Sequence, residues 1–150
     1  MFYTITHQHF DQPAQVVLDF MMTPANAPRW SPGTEKVEPA SEEPLQSGES
    51  LREYLQALGR PVVIDWTIEF WGTRKVWWHA RPVVNGVTQE DQTMIVTYTL
   101  FPAEDGGTDF VREVAIQLPE ALAGMWDQQV FEAQGAEALS NVKRILDEST

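Results

Sequence analysis

The feature that most constrains the fold is a change of hydrophobic period along the chain. Between residues 33 and 118, apolar residues alternate with polar ones or run together between turn segments, a pattern typical of β-strands. It predicts six strands, over 34–40, 49–58, 62–71, 74–84, 88–101 and 108–117. Short connections join antiparallel neighbours, so the six strands form a meander. The clearest turn is Asn85-Gly86, because a type I′ hairpin needs positive φ at both central residues.

The segment before the meander predicts one strand and two short helices. Residues 2–10 are rich in β-branched and aromatic side chains, which favours a strand. Pro13 is placed as at the start of a helix, and an apolar stripe continues over 13–22. Thr23-Pro24 predicts a second helical turn, and we expect Pro28 to limit its length by clashing with the turn before it.

The segment after the meander predicts one long amphipathic helix, from Pro119 to about residue 147. Its apolar face is formed by Gly124, Phe131, Gly135, Ala138, Val142 and Ile145. A glycine inside a helix costs about 1 kcal/mol relative to alanine. We therefore expect a compensation at Gly135, either a close approach to the sheet or space for a ligand.

Composition narrows the possible functions. A chain of 150 residues suits one domain over 1–150. Its net charge of −12 disfavours binding to nucleic acid or anionic membranes, since both require a cationic surface. The absence of cysteine excludes disulfides, thiolate metal ligands and thiol nucleophiles. No apolar run approaches the roughly 20 residues that span a bilayer, and the N-terminus lacks an export signal, so we expect a cytoplasmic protein without membrane insertion.

The order of elements predicts an α+β fold. One strand, two short helices, six antiparallel strands and one long helix leave a seven-stranded sheet with a single large helical partner. Such a sheet can bury its apolar face only by curling around that helix. Because a curved sheet and a straight rod do not fit flush, we expect a hollow between them.

The chain resembles the START-like (SRPBCC) superfamily with the helix-grip fold, and is most similar to its polyketide cyclase/dehydrase-type members. The residues that carry the resemblance are Pro13–Val17, Trp30–Gly33, Gly48, Val96–Pro102, Gly106–Thr108, Leu139, Val142, Leu146 and Asp147. Members of this superfamily include lipid and hormone carriers as well as cyclases. The resemblance therefore implies either the binding of a hydrophobic molecule or a reaction on one, and fold alone does not choose between them.

Alternation along the predicted strands indicates which side chains face the hollow. Residues Val62, Ile64, Trp66, Ile68 and Phe70 share one face. The candidate apolar ligand contacts are Trp66, Phe70, Trp78, Phe110, Phe131 and Gly135. The chain has six tryptophans, at 30, 66, 71, 77, 78 and 126, whose rigid area suits a pocket for a ring-containing molecule. The same side chains would equally well fill an ordinary core.

Arg112 is the most informative single residue, because it lies in an otherwise apolar alternating face. An unpaired guanidinium there would be expensive. It could pair with a buried carboxylate such as Glu53, reach solvent at the mouth of the hollow, or meet an anionic or carbonyl ligand. Tyr98 offers a hydroxyl that could bind a ligand or be satisfied within the core.

The leading hypothesis is the binding of a small hydrophobic, cyclic or acyl molecule, with Arg112 and Tyr98 as polar anchors. The alternative is a cyclase or dehydratase acting on an aromatic or polyketide substrate, in which Arg112 polarises a carbonyl and an acid such as Glu53 moves protons. No catalytic residue and no cofactor is assigned.

Two further hypotheses concern metal binding and self-association. His7 and His9 point the same way from the first strand, but nothing brings His79 to them, so no metal site is predicted. Exposed tryptophans at positions 71 and 77 would make a homodimer plausible, as would a second apolar stripe on the long helix. That stripe comprises Leu122, Trp126, Val130 and Ala133.

Overall fold

The computed structural model describes residues 2–57, 59–117 and 127–149. The N-terminal part contains β1 (Phe2–Phe10), α1 (Ala14–Met22), a short 3-10 turn (Pro24–Asn26) and α2 (Ala27–Trp30). The strands that follow are β2 (Thr34–Glu38), β3 (Ser50–Ala57), β4 (Arg60–Trp71), β5 (Lys75–Val84), β6 (Val87–Thr88), β7 (Thr93–Pro102) and β8 (Thr108–Gln117). The last element is α3 (Gln128–Glu148).

The strands form one antiparallel sheet in the order β1-β8-β7-β5-β4-β3-β2, with the two-residue β6 paired only to β5. The predicted hairpin is confirmed, since φ is 51° at Asn85 and 78° at Gly86. The predicted strand over 88–101 is wrong at its start. Residues 89–92 form a turn between β6 and β7, so β5 pairs first with β6 and then with β7.

Pro28 does not end the second helical segment. It lies in the first turn of α2, where a missing N–H leaves no helical hydrogen bond unmade. The segment after Thr23 consists of two elements. The 3-10 turn ends at Asn26, and α2 begins at Ala27.

The C-terminal helix begins later than predicted. Asp127 has extended geometry, with φ −123° and ψ 107°, and its side chain accepts a hydrogen bond of 3.1 Å from the backbone N–H of Val130. An aspartate in this position caps a helix, so α3 starts at Gln128. The predicted helical residues 119–126 lie outside the described residues. The 21 residues of α3 span about 30 Å rather than the longer rod that the sequence predicts.

The core lies between the concave face of the sheet and α3, as expected for a helix-grip α+β fold. The predicted helical stripe is buried at Gly135, Ala138, Leu139, Val142, Ile145 and Leu146. Leu139 and Val142 are completely buried and join a cluster with Phe10 of β1 and Leu18 of α1. Within the described residues, no helix is both long and apolar enough to cross a membrane.

We expect Leu139→Ala to lower the free energy of unfolding by about 2–5 kcal/mol, because it removes most of a fully buried side chain and leaves a cavity in its place. The neighbouring exposed Ser140 provides the control, and Ser140→Ala should change stability by less than about 0.5 kcal/mol. Urea unfolding of both variants measures the difference. Equal stabilities would show that α3 is not held by this stripe.

Candidate functional site

A cavity of about 430 Å³ lies between the concave face of the sheet and the N-terminal half of α3. Most of its wall is apolar. The wall includes Met21, Met22, Trp30, Ile64, Trp66, Trp78, Val114, Ile116, Phe131, Gly135 and Ala138. The polar side chains of the strands that line it include Glu53, Tyr98 and Arg112. Seven of the nine predicted ligand contacts line this cavity.

Arg112 and Gly135 meet where α3 crosses the sheet. Arg112 on β8 is the register partner of Tyr98 on β7 and of Thr6 on β1. A Cβ atom on residue 135 would lie 3.0 Å from Nη1 of Arg112 and 2.9 Å from Oγ1 of Thr6. The compensation expected for the helical glycine is thus a close approach, since a larger residue would have to displace these two side chains.

Glu53 does not pair with Arg112, contrary to one of the expectations. Its carboxylate is buried and accepts hydrogen bonds from the Thr34 hydroxyl and from Nε1 of Trp66, the latter at 2.9 Å. The register explains the second contact, because Trp66 pairs with Leu51, two residues from Glu53 on the same face of β3. Both donors are neutral, and none of the ion pairs among the described residues includes Glu53.

Tyr98 is buried beside the two charged groups. Burial raises the pKa of its hydroxyl above the usual value of about 10, the Arg112 guanidinium offsets part of that rise, and the Glu53 carboxylate adds to it. The hydroxyl is therefore neutral at physiological pH. It can donate a hydrogen bond to a molecule in the cavity.

Two of the predicted contacts lie elsewhere. Phe70 is 45% exposed, because β4 has a register shift between Ile68 and Phe70 that breaks the expected shared face. Phe110 is 1% exposed and packs in the core between Phe10 and Tyr98, with ring centroids 5.7 and 5.2 Å away. It supports Tyr98 from behind and does not line the cavity.

The short helices supply a part of the wall that the sequence did not indicate. Met22 and Trp30, from α1 and α2, line the cavity together with Met21. Met21 belongs to the apolar stripe over 13–22 that predicted α1. No local pattern indicated that α2 would reach this wall, since its position depends on Asn141 of α3, which donates a hydrogen bond of 3.1 Å to the Trp30 carbonyl.

The histidines lie outside the cavity wall. Two strands separate His79 on β5 from β1, so the three histidines do not converge. His9 lies within 4 Å of three carboxylates: Nδ1 is 2.8 Å from Asp109, and Nε2 is 2.9 Å from Asp105 and 3.5 Å from Asp11. The hydrogen bond with Asp109 is the largest of the effects that raise the pKa of His9 above its usual value. Each ring nitrogen of His9 lies within hydrogen-bond distance of a carboxylate oxygen on the outer side of the sheet edge.

Comparisons with known proteins agree with the geometry. The family model described as "Polyketide cyclase / dehydrase and lipid transport" matches residues 4–147. A protein from Rhodobacter sphaeroides is 18% identical, with a TM-score of 0.74 over 99% of this chain and 93% of that one. Protein CV1439 from Chromobacterium violaceum is 18% identical, with a TM-score of 0.72 over 95% of each chain. A conserved protein from Geobacillus kaustophilus is 10% identical, with a TM-score of 0.78 over 99% of this chain and 97% of that one. Among curated proteins, none matches this chain.

The raised pKa of Tyr98 predicts a loss of stability in alkali. Below about pH 10 the tyrosine is neutral in both the folded and the unfolded chain. Above that pH the unfolded chain ionises first, so the folding contribution of Tyr98 is lost as pH rises towards the higher folded pKa. Tyrosinate absorbance, taken as parent minus Tyr98→Phe, should therefore report an ionisation above pH 10. An ionisation at or below the ordinary value would contradict a buried hydroxyl.

Proposed function

Because the chain belongs to the polyketide cyclase/dehydrase and lipid transport family, we propose that it binds a small hydrophobic molecule in the cavity between the sheet and α3. The molecule is cyclic or acyl, and it is carried, sequestered or sensed without being changed. Tyr98 and Arg112 supply the polar anchors, and Trp66, Trp78 and Phe131 supply apolar contact area.

The observation that carries this proposal is the cavity itself. Its volume of about 430 Å³ falls within the range of roughly 300–1,000 Å³ that is usual for small-molecule sites. Its wall combines large aromatic surfaces with a few convergent polar groups, the composition that such sites usually have. Trp66 and Trp78 contact each other edge to face, with centroids 5.9 Å apart, a favourable arrangement for two aromatic rings.

A second candidate function, a cyclase or dehydratase, is favoured by one observation. Glu53 places a buried carboxylate in the same cavity wall as Arg112 and Tyr98. A carboxylate in an apolar cavity can remove a proton next to a carbonyl, while a guanidinium and a phenol stabilise the oxyanion that forms. Ring closure with loss of water is a reaction of this kind.

Filling the cavity should weaken binding. Ile64 lines the cavity, and we expect Ile64→Trp to weaken the binding of the neutral fluorescent probe N-phenylnaphthylamine by roughly tenfold or more. Val63 lies on the opposite face of the same strand, so Val63→Trp adds the same indole outside the cavity. Fluorescence titration compares the two variants with the parent. Equal affinities for all three would place the probe elsewhere and contradict the proposal.

The enzyme candidate predicts that Glu53→Gln removes activity and leaves probe binding intact. The amide preserves shape but cannot accept a proton, so conversion of a β-diketo thioester should fall by roughly a hundredfold or more. Mass spectrometry of the products measures conversion, and the probe titration confirms that the cavity is intact. Parent protein that converts the thioester no faster than buffer would exclude this candidate and leave the binding proposal standing.

A further inference from the structure

Arg112 is a cation in the cavity wall that no carboxylate of the described residues neutralises. None of the ion pairs among the described residues includes Arg112. The buried carboxylate in the same wall, Glu53, is occupied by the Thr34 hydroxyl and the Trp66 indole. Thr6, the cross-strand neighbour of Arg112 on β1, offers only a neutral hydroxyl. A guanidinium turned into an apolar cavity without a counter-charge is costly, so an anionic partner gains more there than at the protein surface.

The local charge of the cavity is opposite to that of the whole molecule. The chain carries a net charge of −12. The described cavity wall holds two arginines, Arg60 and Arg112, against the single carboxylate of Glu53. Arg60 is exposed at one end of β4, whereas Arg112 is half-buried. An acidic protein repels free anions, so a cationic cavity within it favours an anion that also brings apolar surface.

Arg112 is hydrogen-bonded to the Tyr98 hydroxyl, and a guanidinium has five N–H donors, so other donors remain for a ligand. Gly135 has no side chain to cover Nη1, and a Cβ there would come within 3.0 Å of it. Tyr98, the register partner of Arg112 on β7, has a hydroxyl whose raised pKa keeps it a neutral donor. A guanidinium fork beside a phenol O–H is a geometry that suits two oxygens of one headgroup.

We infer that the molecule in the cavity is an amphiphile with one anionic oxygen headgroup, a carboxylate or a phosphate, that Arg112 binds. This inference rests on the proposed function and adds the chemical class of the ligand. The aromatic and aliphatic wall takes the apolar part. The volume of about 430 Å³ suits one acyl chain or a small fused ring system, and is too small for a two-chain lipid.

The test compares ligands that differ only in the headgroup. Dodecanoate, dodecyl phosphate and dodecanol are used to displace N-phenylnaphthylamine from the parent protein. We expect at least one of the two anions to bind roughly 10- to 100-fold more tightly than the alcohol, and the tighter anion identifies the headgroup. Arg112→Met keeps the apolar stem and removes the charge, so this preference should disappear while the neutral probe still binds.

A matched control separates local from global charge. Arg144 is an exposed residue of α3 outside the cavity wall, and Arg144→Met changes the net charge by the same amount as Arg112→Met. It should leave the preference for the anion intact. If Arg112→Met fails to fold, Arg112→Gln replaces it in the same comparison.

The outcomes distinguish the two proposals. Dodecanol that binds the parent as tightly as both anions overturns the inference and leaves the proposed function standing. A preference that survives in Arg112→Met also overturns it, because another group then recognises the headgroup. If the parent binds neither the probe nor any of the three competitors, the proposed function itself fails.

Discussion

The structure depends on how one straight helix packs into one curved sheet. The C-terminal half of α3 buries Leu139, Val142 and Leu146 in the core. The N-terminal half presents Phe131 and Gly135 to the cavity instead. A rod can follow a curved surface closely along only part of its length, so contact at one end of α3 produces a hollow at the other. The same packing therefore accounts for both stability and the candidate site.

The site concentrates polar groups that a purely structural core would avoid. Tyr98 and Arg112 are paired across neighbouring strands, and Glu53 lies in the same wall with two neutral donors. Each of these groups loses hydration on burial, and for the two charged ones the contacts within the described residues replace it only in part. Apolar side chains of similar size would pack these positions at lower free energy. The presence of these three polar groups in the cavity wall is the physical reason to regard the cavity as a site rather than as a packing defect.

Much of the fold was predictable because its signals are local. Alternation placed β8 at 108–117 and β1 at 2–10 with the observed bounds, and Asn85-Gly86 specified its turn by the need for positive φ. The predictions failed where a local pattern was interrupted by non-local pairing. The register shift before Phe70 depends on how β4 meets β5, and alternation within β4 alone carries no sign of it.

The amino-acid sequence by itself determined the order of elements, the family resemblance and the inward face of most strands. These follow from side-chain periodicity and turn chemistry, which act over a few residues. Only the tertiary structure decided which inward residues meet a cavity and which meet the core. Phe110 and Tyr98 both face inward, yet one packs behind the other. The tertiary structure also decided whether Arg112 would pair with Glu53 or line the cavity without it. Sheet curvature and helix placement decide this, because contacts between distant segments set them both.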